Sequence, residues 1–157
     1  MSTNLQFWIM KSEPDVFSIG HLEKAKNQTT PWEGVRNYQA RNFMRDQMKI
    51  GDQVLFYHSS CDVTGVAGIA EVTSVTYPDP TQFIKTSEYF DAGATKDKPR
   101  WFLVDVKWQK TFKDVITLEK IRTAPKLKDL TILKKGNRLS ITPCTEAEFK
   151  NIISLGR

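Results

Sequence analysis

Between Pro31 and Phe43 the chain reads PWEGVRNYQARNF, which sets one tryptophan, one tyrosine, two arginines and two asparagines around a single glycine. Those side-chain types have a chemistry in common. Flat aromatic faces stack on unpaired bases, amides and hydroxyls read a base's polar edge, and guanidinium forks match phosphate oxygens. Trp32, with Pro31 before it and Gly34 after it, offers an indole face from a polar turn; folding back onto the core is the equal competitor. Asn37 is placed to cap the helix that follows with its side-chain oxygen, leaving its amide group to face elsewhere. Arg36, Arg41 and Arg45 form a positive strip beside the loop, the last two one helical turn apart. A solvated face with local ion pairs, Asp46 being one partner, is the competing account of that strip.

Nucleophilic or metal chemistry is not supported in the same way. His58 stands three residues from Cys61 in YHSSC, but a nucleophilic thiol needs a base in reach and a third group to orient that base. The spacing supplies no third group, so a strand-end histidine and an ordinary turn cysteine is the simpler reading. A zinc deaminase requires a Pro-Cys-x-x-Cys run, whereas Pro143-Cys144 leads into Thr145-Glu146-Ala147 with no second cysteine. Cys61 and Cys144 are too few for a disulfide framework and are not spaced as zinc ligands, and whether they pair is open. Glu13, Asp15, Glu33 and Asp52 do not single themselves out as a catalytic pair. The expectation is therefore no catalytic residue, no metal and no cofactor.

The elements that must position this loop follow from periodicity. LQFWIM reads as a buried strand, stopped by Lys11-Ser12-Glu13-Pro14. Ser18 caps a short helix burying Ile19, Leu22 and Ala25. Residues 27–36 read as loop, and a helix runs from Asn37 to about Met48 with Ala40, Phe43, Met44 and Met48 on one face and Gly51 to end it. QVLFYHS and GVAGIAEVTSVTY read as strands. RWFLVDVKWQKTF alternates, with Phe102, Val104, Val106, Trp108 and Phe112 on one side and Asp105, Lys107 and Gln109 on the other. Residues 78–99, with three of the seven prolines, read as a long irregular excursion. TLEKIR is a short helix, RLSITP a last strand, and Thr145-Glu146-Ala147-Glu148 a capping box before an amphipathic final helix. Strands interspersed with helices in this way predict an α+β fold with a mostly antiparallel, curved, barrel-like sheet. No Gly-rich phosphate loop follows the first strand, which sets aside a doubly wound nucleotide-binding fold. The 157 residues fit one domain, spanning 1–157. A formal charge of +5 with pI near 9.2 makes a polyanionic partner plausible. MSTNLQFWIMKSEP has no signal-peptide pattern, and no apolar run reaches the roughly 18 residues of a membrane span.

FWIMKSEPDVFS, WEGVRNYQARNFMR, GDQVLFYHS, GVAGIAEV and RLSITP resemble, in that order, the EVE domain family, with its thymocyte nuclear protein branch the nearer likeness. The resemblance covers nearly the whole chain. It implies a PUA-like fold, a small open mostly antiparallel β-barrel flanked by helices, distantly related to the YTH readers of methylated adenine. It also implies a non-enzymatic reader of a modified base, modified cytosine above all, in DNA or RNA, without cofactor or membrane. By the YTH pattern Lys11, Ser12 and Trp32 would line the base pocket. Tyr57, His58 and Ser59 would lie at its mouth, and Ser140 and Arg138 carry over more weakly. The base, flipped from its stack, would lie under Trp32 with Tyr57 or Trp8 as a second wall. Ser12 and Asn37 would read its edge, and Arg36, Arg41, Arg45, Lys11 and Arg138 would hold the flanking phosphates. Two other classes stay open: a reader of a methylated ammonium on a peptide, with Glu13 or Glu33 completing an aromatic cage, and a hydrolase or nuclease acting on the modified strand. Nuclear members of the branch carry a basic N-terminal extension, where this chain has only MSTNLQ. A bacterial cytoplasmic protein is the expectation, or a nuclear one in a eukaryote.

Overall fold

The structure, a computed structural model, describes residues 5–156; Met1–Asn4, part of the start read above for a leader, and Arg157 lie outside the described residues. Its centre is a six-stranded sheet in the order β2-β7-β4-β3-β1-β8. The strands are β1 (Phe7–Ser12), β2 (Thr29–Pro31), β3 (Gln53–His58), β4 (Gly65–Val72), β7 (Asp105–Thr117) and β8 (Ile141–Cys144). A two-stranded ribbon joins β5 (Tyr77–Pro78) to β6 (Phe102–Leu103). Among the described residues only β1 and β3 run parallel; every other pairing is antiparallel. The two edge strands each carry a proline, Pro31 in β2 and Pro143 in β8, where a missing backbone N–H costs no interior ladder bond. The sheet curls into an open half-barrel, the expected PUA-like α+β fold.

Period-two alternation splits the apolar residues between two cores. Along β1, Trp8 and Met10 face one core while Ile9 faces the other. The first core includes Val54 and Phe56 of β3 and is closed by α1 (Ile19–Lys24) and α2 (Tyr38–Asn42). The second includes Leu55 and Tyr57 and is closed by α3 (Leu118–Arg122), α4 (Glu146–Leu155) and the turns between them. Ser18 and Thr145 cap α1 and α4 with reciprocal capping boxes. The expected helix from Asn37 is present, but after Asn42 it widens into a π-helical turn, Phe43–Gln47, closed by Met48 N–H donating to the Phe43 carbonyl at 2.9 Å. Ala40, Met44 and Met48 are buried as their spacing requires.

The structure differs from the periodicity at several points. Strand β1 runs on through Lys11 and Ser12, and the strand from Gly65 ends at Val72, with Tyr77 joining a separate ribbon. The strand expected over 100–112 breaks at Val104 and runs on to Thr117, and the last strand starts only at Ile141. Residues 29–31, read as loop, form the edge strand β2. Ala25 ends α1 half-buried. Phe112 packs on the second core although Val104 and Val106 lie in the first. The pairing of β4 with β7 slips from Ala70↔Trp108 to Ile69↔Lys110, and this bulge reverses the side-chain parity of β7 beyond it. No helix among the described residues is long and apolar enough to cross a membrane.

Candidate functional site

A hollow of about 610 Å³ opens where β1 ends, and Lys11, Ser12, Trp32 and Ser140 all line it. Four of the residues expected at a base pocket therefore meet there, although they come from three distant parts of the chain. Edge strand β2 delivers Trp32: after Thr30↔Val106 and Pro31↔Asp105, the Trp32 N–H donates to the Val104 carbonyl at 2.9 Å. Trp32 is then only 8 % exposed, its ring meeting that of Phe56 near a right angle at 5.5 Å. It thus belongs to the first core and also lines the hollow. Ser12 and Ser140 come together because Lys11 N–H donates to the Ser140 carbonyl at 2.8 Å, continuing the β1–β8 ladder.

The opposite wall comes from the 78–99 excursion, in which the sequence reading placed no site residue. Tyr89 and Glu88 both reach the hollow from it. Two buried polar residues give this excursion a fixed shape. Gln82 accepts from Arg100 N–H and Trp101 N–H at 3.0 Å each and donates to the Asp79 and Trp101 carbonyls, so its amide ties together both ends of the segment. Asp79 accepts from Gly34 N–H at 2.8 Å and from Arg36 Nη1 at 3.1 Å, fastening the excursion to the Trp32 loop. Burial alone would raise the Asp79 carboxyl, but hydrogen bonds from Thr81, Gly34 and Arg36 outweigh it and hold the group below the usual carboxylate range. Gly34 has φ +85°, and a Cβ there would stand 2.6 Å from the Tyr89 ring, so this position admits little but glycine. An aromatic in a polar stretch was the signal that picked out Trp32. The same signal in SEYF marks Tyr89.

Arg36 is not available for phosphate. All five of its N–H groups are committed: Nε and Nη2 to the Tyr89 carbonyl, Nη2 also to Thr81 Oγ1, and Nη1 to Asp79 and the Val35 carbonyl. Its guanidinium lies 5.3 Å from the Trp101 ring and 5.5 Å from that of Tyr89. Arg36 builds the wall of the hollow instead.

Other expected residues stand elsewhere. Trp8 is 1 % exposed, packs on Phe43 and donates its indole N–H to buried Asp52 at 3.0 Å, so it is core and not a second wall. Tyr57 is buried on the other side of the sheet, because β3 alternates and its neighbour Phe56 takes the near side. Asn37 Oδ1 caps α2 on Ala40 N–H at 3.0 Å. His58 Nε2 accepts from Ile19 N–H at 3.1 Å, fixing α1 to β3, and burial lowers the imidazole's pKa. Ser59 N–H donates to the Ser12 carbonyl behind the hollow. Arg45 forks onto Asp46, the ion pair weighed against phosphate binding. Arg41 lies over the Tyr38 ring at 4.8 Å and donates to Asn42 and the Arg100 carbonyl, off the hollow. Arg138 is exposed two residues before Ser140. Cys61 and Cys144 are unpaired, and burial with the Glu148 charge pushes the Cys144 thiol up to about 12. No group of side chains suited to a metal occurs among the described residues.

The lining of the hollow is mixed in chemistry. Trp32, Phe17 and Tyr89 supply aromatic surface; Pro31, Val16 and Val35 supply aliphatic surface. The Ser12 hydroxyl already donates to the Phe17 carbonyl at 2.6 Å, so toward the hollow it offers only lone pairs. Glu33 adds a carboxylate whose pKa is raised by burial and by the Asp79 charge, with Arg36 opposing. Lys11 also lines the hollow; its ammonium lies 5.9 Å from the centre of the Tyr57 ring, and burial lowers its pKa.

Comparison with known proteins gives the arrangement a context. The family model of the EVE domain matches residues 6–155. Human thymocyte nuclear protein 1 is 40 % identical over 165 residues, covering 94 % of this chain and 72 % of its own length. A Pseudomonas putida crystal structure superposes with TM-score 0.91 at 46 % identity, covering 96 % of this chain and 99 % of that one. The crystal structure of human THYN1 protein in complex with DNA containing 5-methylcytosine superposes with TM-score 0.90 at 40 % identity, covering 97 % and 98 %.

Proposed function

Because the chain belongs to the EVE domain family, we propose that it is a non-enzymatic reader that takes a modified base, 5-methylcytosine foremost, out of the nucleic-acid stack and into the hollow beside Trp32. The observation that carries this reading is the convergence of Trp32, Ser12, Lys11, Ser140 and Tyr89 on one opening of base-accommodating size. The related human protein bound to 5-methylcytosine DNA supports the choice of base. A cytosine presents an exocyclic amino donor on its edge. The Ser12 lone pairs and the Glu33 carboxylate are the acceptors that meet it, while the 5-methyl group packs on aliphatic surface from Val16, Pro31 and Val35. One methyl group adds only about 1–3 kcal/mol, so preference over plain cytosine is modest. The residues proposed for the base are thus Trp32, Ser12, Lys11, Ser140, Glu33 and Tyr89. Residues 1–157 act as one unit, in whichever compartment holds the nucleic acid: bacterial cytoplasm or eukaryotic nucleus.

The test is titration of single- and double-stranded oligonucleotides carrying one 5-methylcytosine, with unmodified controls, at one salt concentration. Trp32→Ala removes stacking worth about 1–3 kcal/mol and weakens the modified oligonucleotide roughly five- to hundredfold. Unchanged affinity in a folded variant rejects the hollow as the base site. Cleavage or base release during the same incubation, with or without divalent metal, would return the protein to the enzymes.

A further inference from the structure

The charge of the chain is concentrated. Residues 118–138 hold seven basic and two acidic side chains, a net of +5 that equals the formal charge of all 157 residues, so the remainder is balanced. Lys120, Arg122, Lys126, Lys128, Lys134, Lys135 and Arg138 are all exposed, and none belongs to an ion pair among the described residues. Ile121, Leu127 and Leu130, buried in the second core, anchor this segment to the body of the protein while its basic side chains remain in solvent. A fixed field of one sign is suited to a polyanion.

Two connections lead from this face to the hollow. Arg138 stands two residues before hollow-lining Ser140. Asn137 fixes the approach, donating from Nδ2 to the Thr131 carbonyl and accepting Leu139 N–H at Oδ1, each at 2.8 Å. On the other side Lys11, which also lines the hollow, holds Nζ 5.9 Å from the centre of the Tyr57 ring, and Tyr57 lies in the second core with Ile121, Leu127 and Leu130 of this segment. The arginines near the Trp32 loop are poorer phosphate ligands: Arg36 is saturated, Arg41 is engaged by Asn42 and the Arg100 carbonyl, and Arg45 is paired with Asp46. None of the exposed large apolar side chains falls in 118–138, so the face has nothing to insert into lipid.

We infer that the 118–138 face is the track for the sugar–phosphate backbone flanking the flipped base, an assignment that rests on the base-reading role of the hollow. The test compares two neutralised triples of equal charge change: Lys126→Gln/Lys134→Gln/Lys135→Gln on this face, and Lys107→Gln/Lys110→Gln/Lys113→Gln on β7. Each is titrated with 5-methylcytosine duplex and single strand across a salt series, and with free 5-methyldeoxycytidine. Each phosphate contact contributes about 0.9 to the log–log salt slope on duplex DNA. The first triple is expected to flatten that slope by roughly 2–3 and weaken oligonucleotide binding at low salt tenfold or more, with nucleoside binding intact. The β7 triple is expected to leave the slope nearly unchanged. Equal losses in both triples, or an unchanged slope in the first, overturn the assignment. So does capture of the protein by phosphatidylserine vesicles that the first triple abolishes while its oligonucleotide slope stays as in the wild type. If the slope loss occurs but the free nucleoside never binds, the base pocket falls and the basic face stands.

Discussion

Arg36 shows how a residue's type can be legible while its role is not. A guanidinium next to a tryptophan in a polar loop is the pattern of a phosphate ligand, yet every N–H it owns is spent inside the protein. Lysine retains the charge but has neither the fork nor the plane that lies over Tyr89 and Trp101. Arg36→Lys is therefore expected to weaken binding of the modified oligonucleotide by loosening the Tyr89 wall, and to leave the salt slope as it was. A slope shallower by about 0.9 would instead make Arg36 a phosphate contact. Trp32 is the complementary case: its burial, which on its own argues for a core role, is what fixes it where it lines the hollow.

Among the elements, the junction of β1 with the turn before β3 rests on one carboxylate. Asp52 is fully buried and accepts from the Trp8 indole N–H, the Lys49 N–H and the Gln6 N–H at 3.0–3.1 Å. Asp52→Ala strands the indole donor in the first core. The expected loss is on the order of 3 kcal/mol, a fall in Tm of roughly 6–12 °C by thermal unfolding. A change within experimental error would mean that water replaces the carboxylate there. The excursion between β5 and β6 owes its order to the same device. Gln82 and Asp79 supply the hydrogen bonds that secondary structure would otherwise provide.

For the whole molecule, the most direct handle is pH. His58 accepts the Ile19 N–H with Nε2, which requires a lone pair there and hence a neutral ring. Burial lowers its pKa below the ordinary 6.5, so the unfolded chain takes up the proton first. The contribution to stability is whole above the unfolded value and is lost as pH falls through 6.5 toward the folded value. Thermal stability is thus expected to decline between pH 7 and 5, and His58→Gln to flatten that part of the profile. An identical decline in the variant would assign it to other groups. At the same scale, the clustering of net charge on one face gives the molecule a polarity that its modest total of +5 conceals.

Most of the fold was legible in the chain. Strands β1, β3 and β4, the Asn37 cap, the capping box of α4 and the amphipathic faces rest on local alternation, local caps and local periodicity, and those depend on neighbours in sequence. The meeting of Lys11, Ser12, Trp32 and Ser140 was legible through family resemblance, since strand pairing that joins residue 11 to residue 140 has no local signal. Only the tertiary structure placed Trp8 and Tyr57 off the hollow, reversed Phe112 through a bulge and brought Tyr89 to the wall. The reason is the same each time. Which side of a sheet a residue faces, and which donors remain free, are settled by partners dozens of positions away, and sequence spacing carries no record of them.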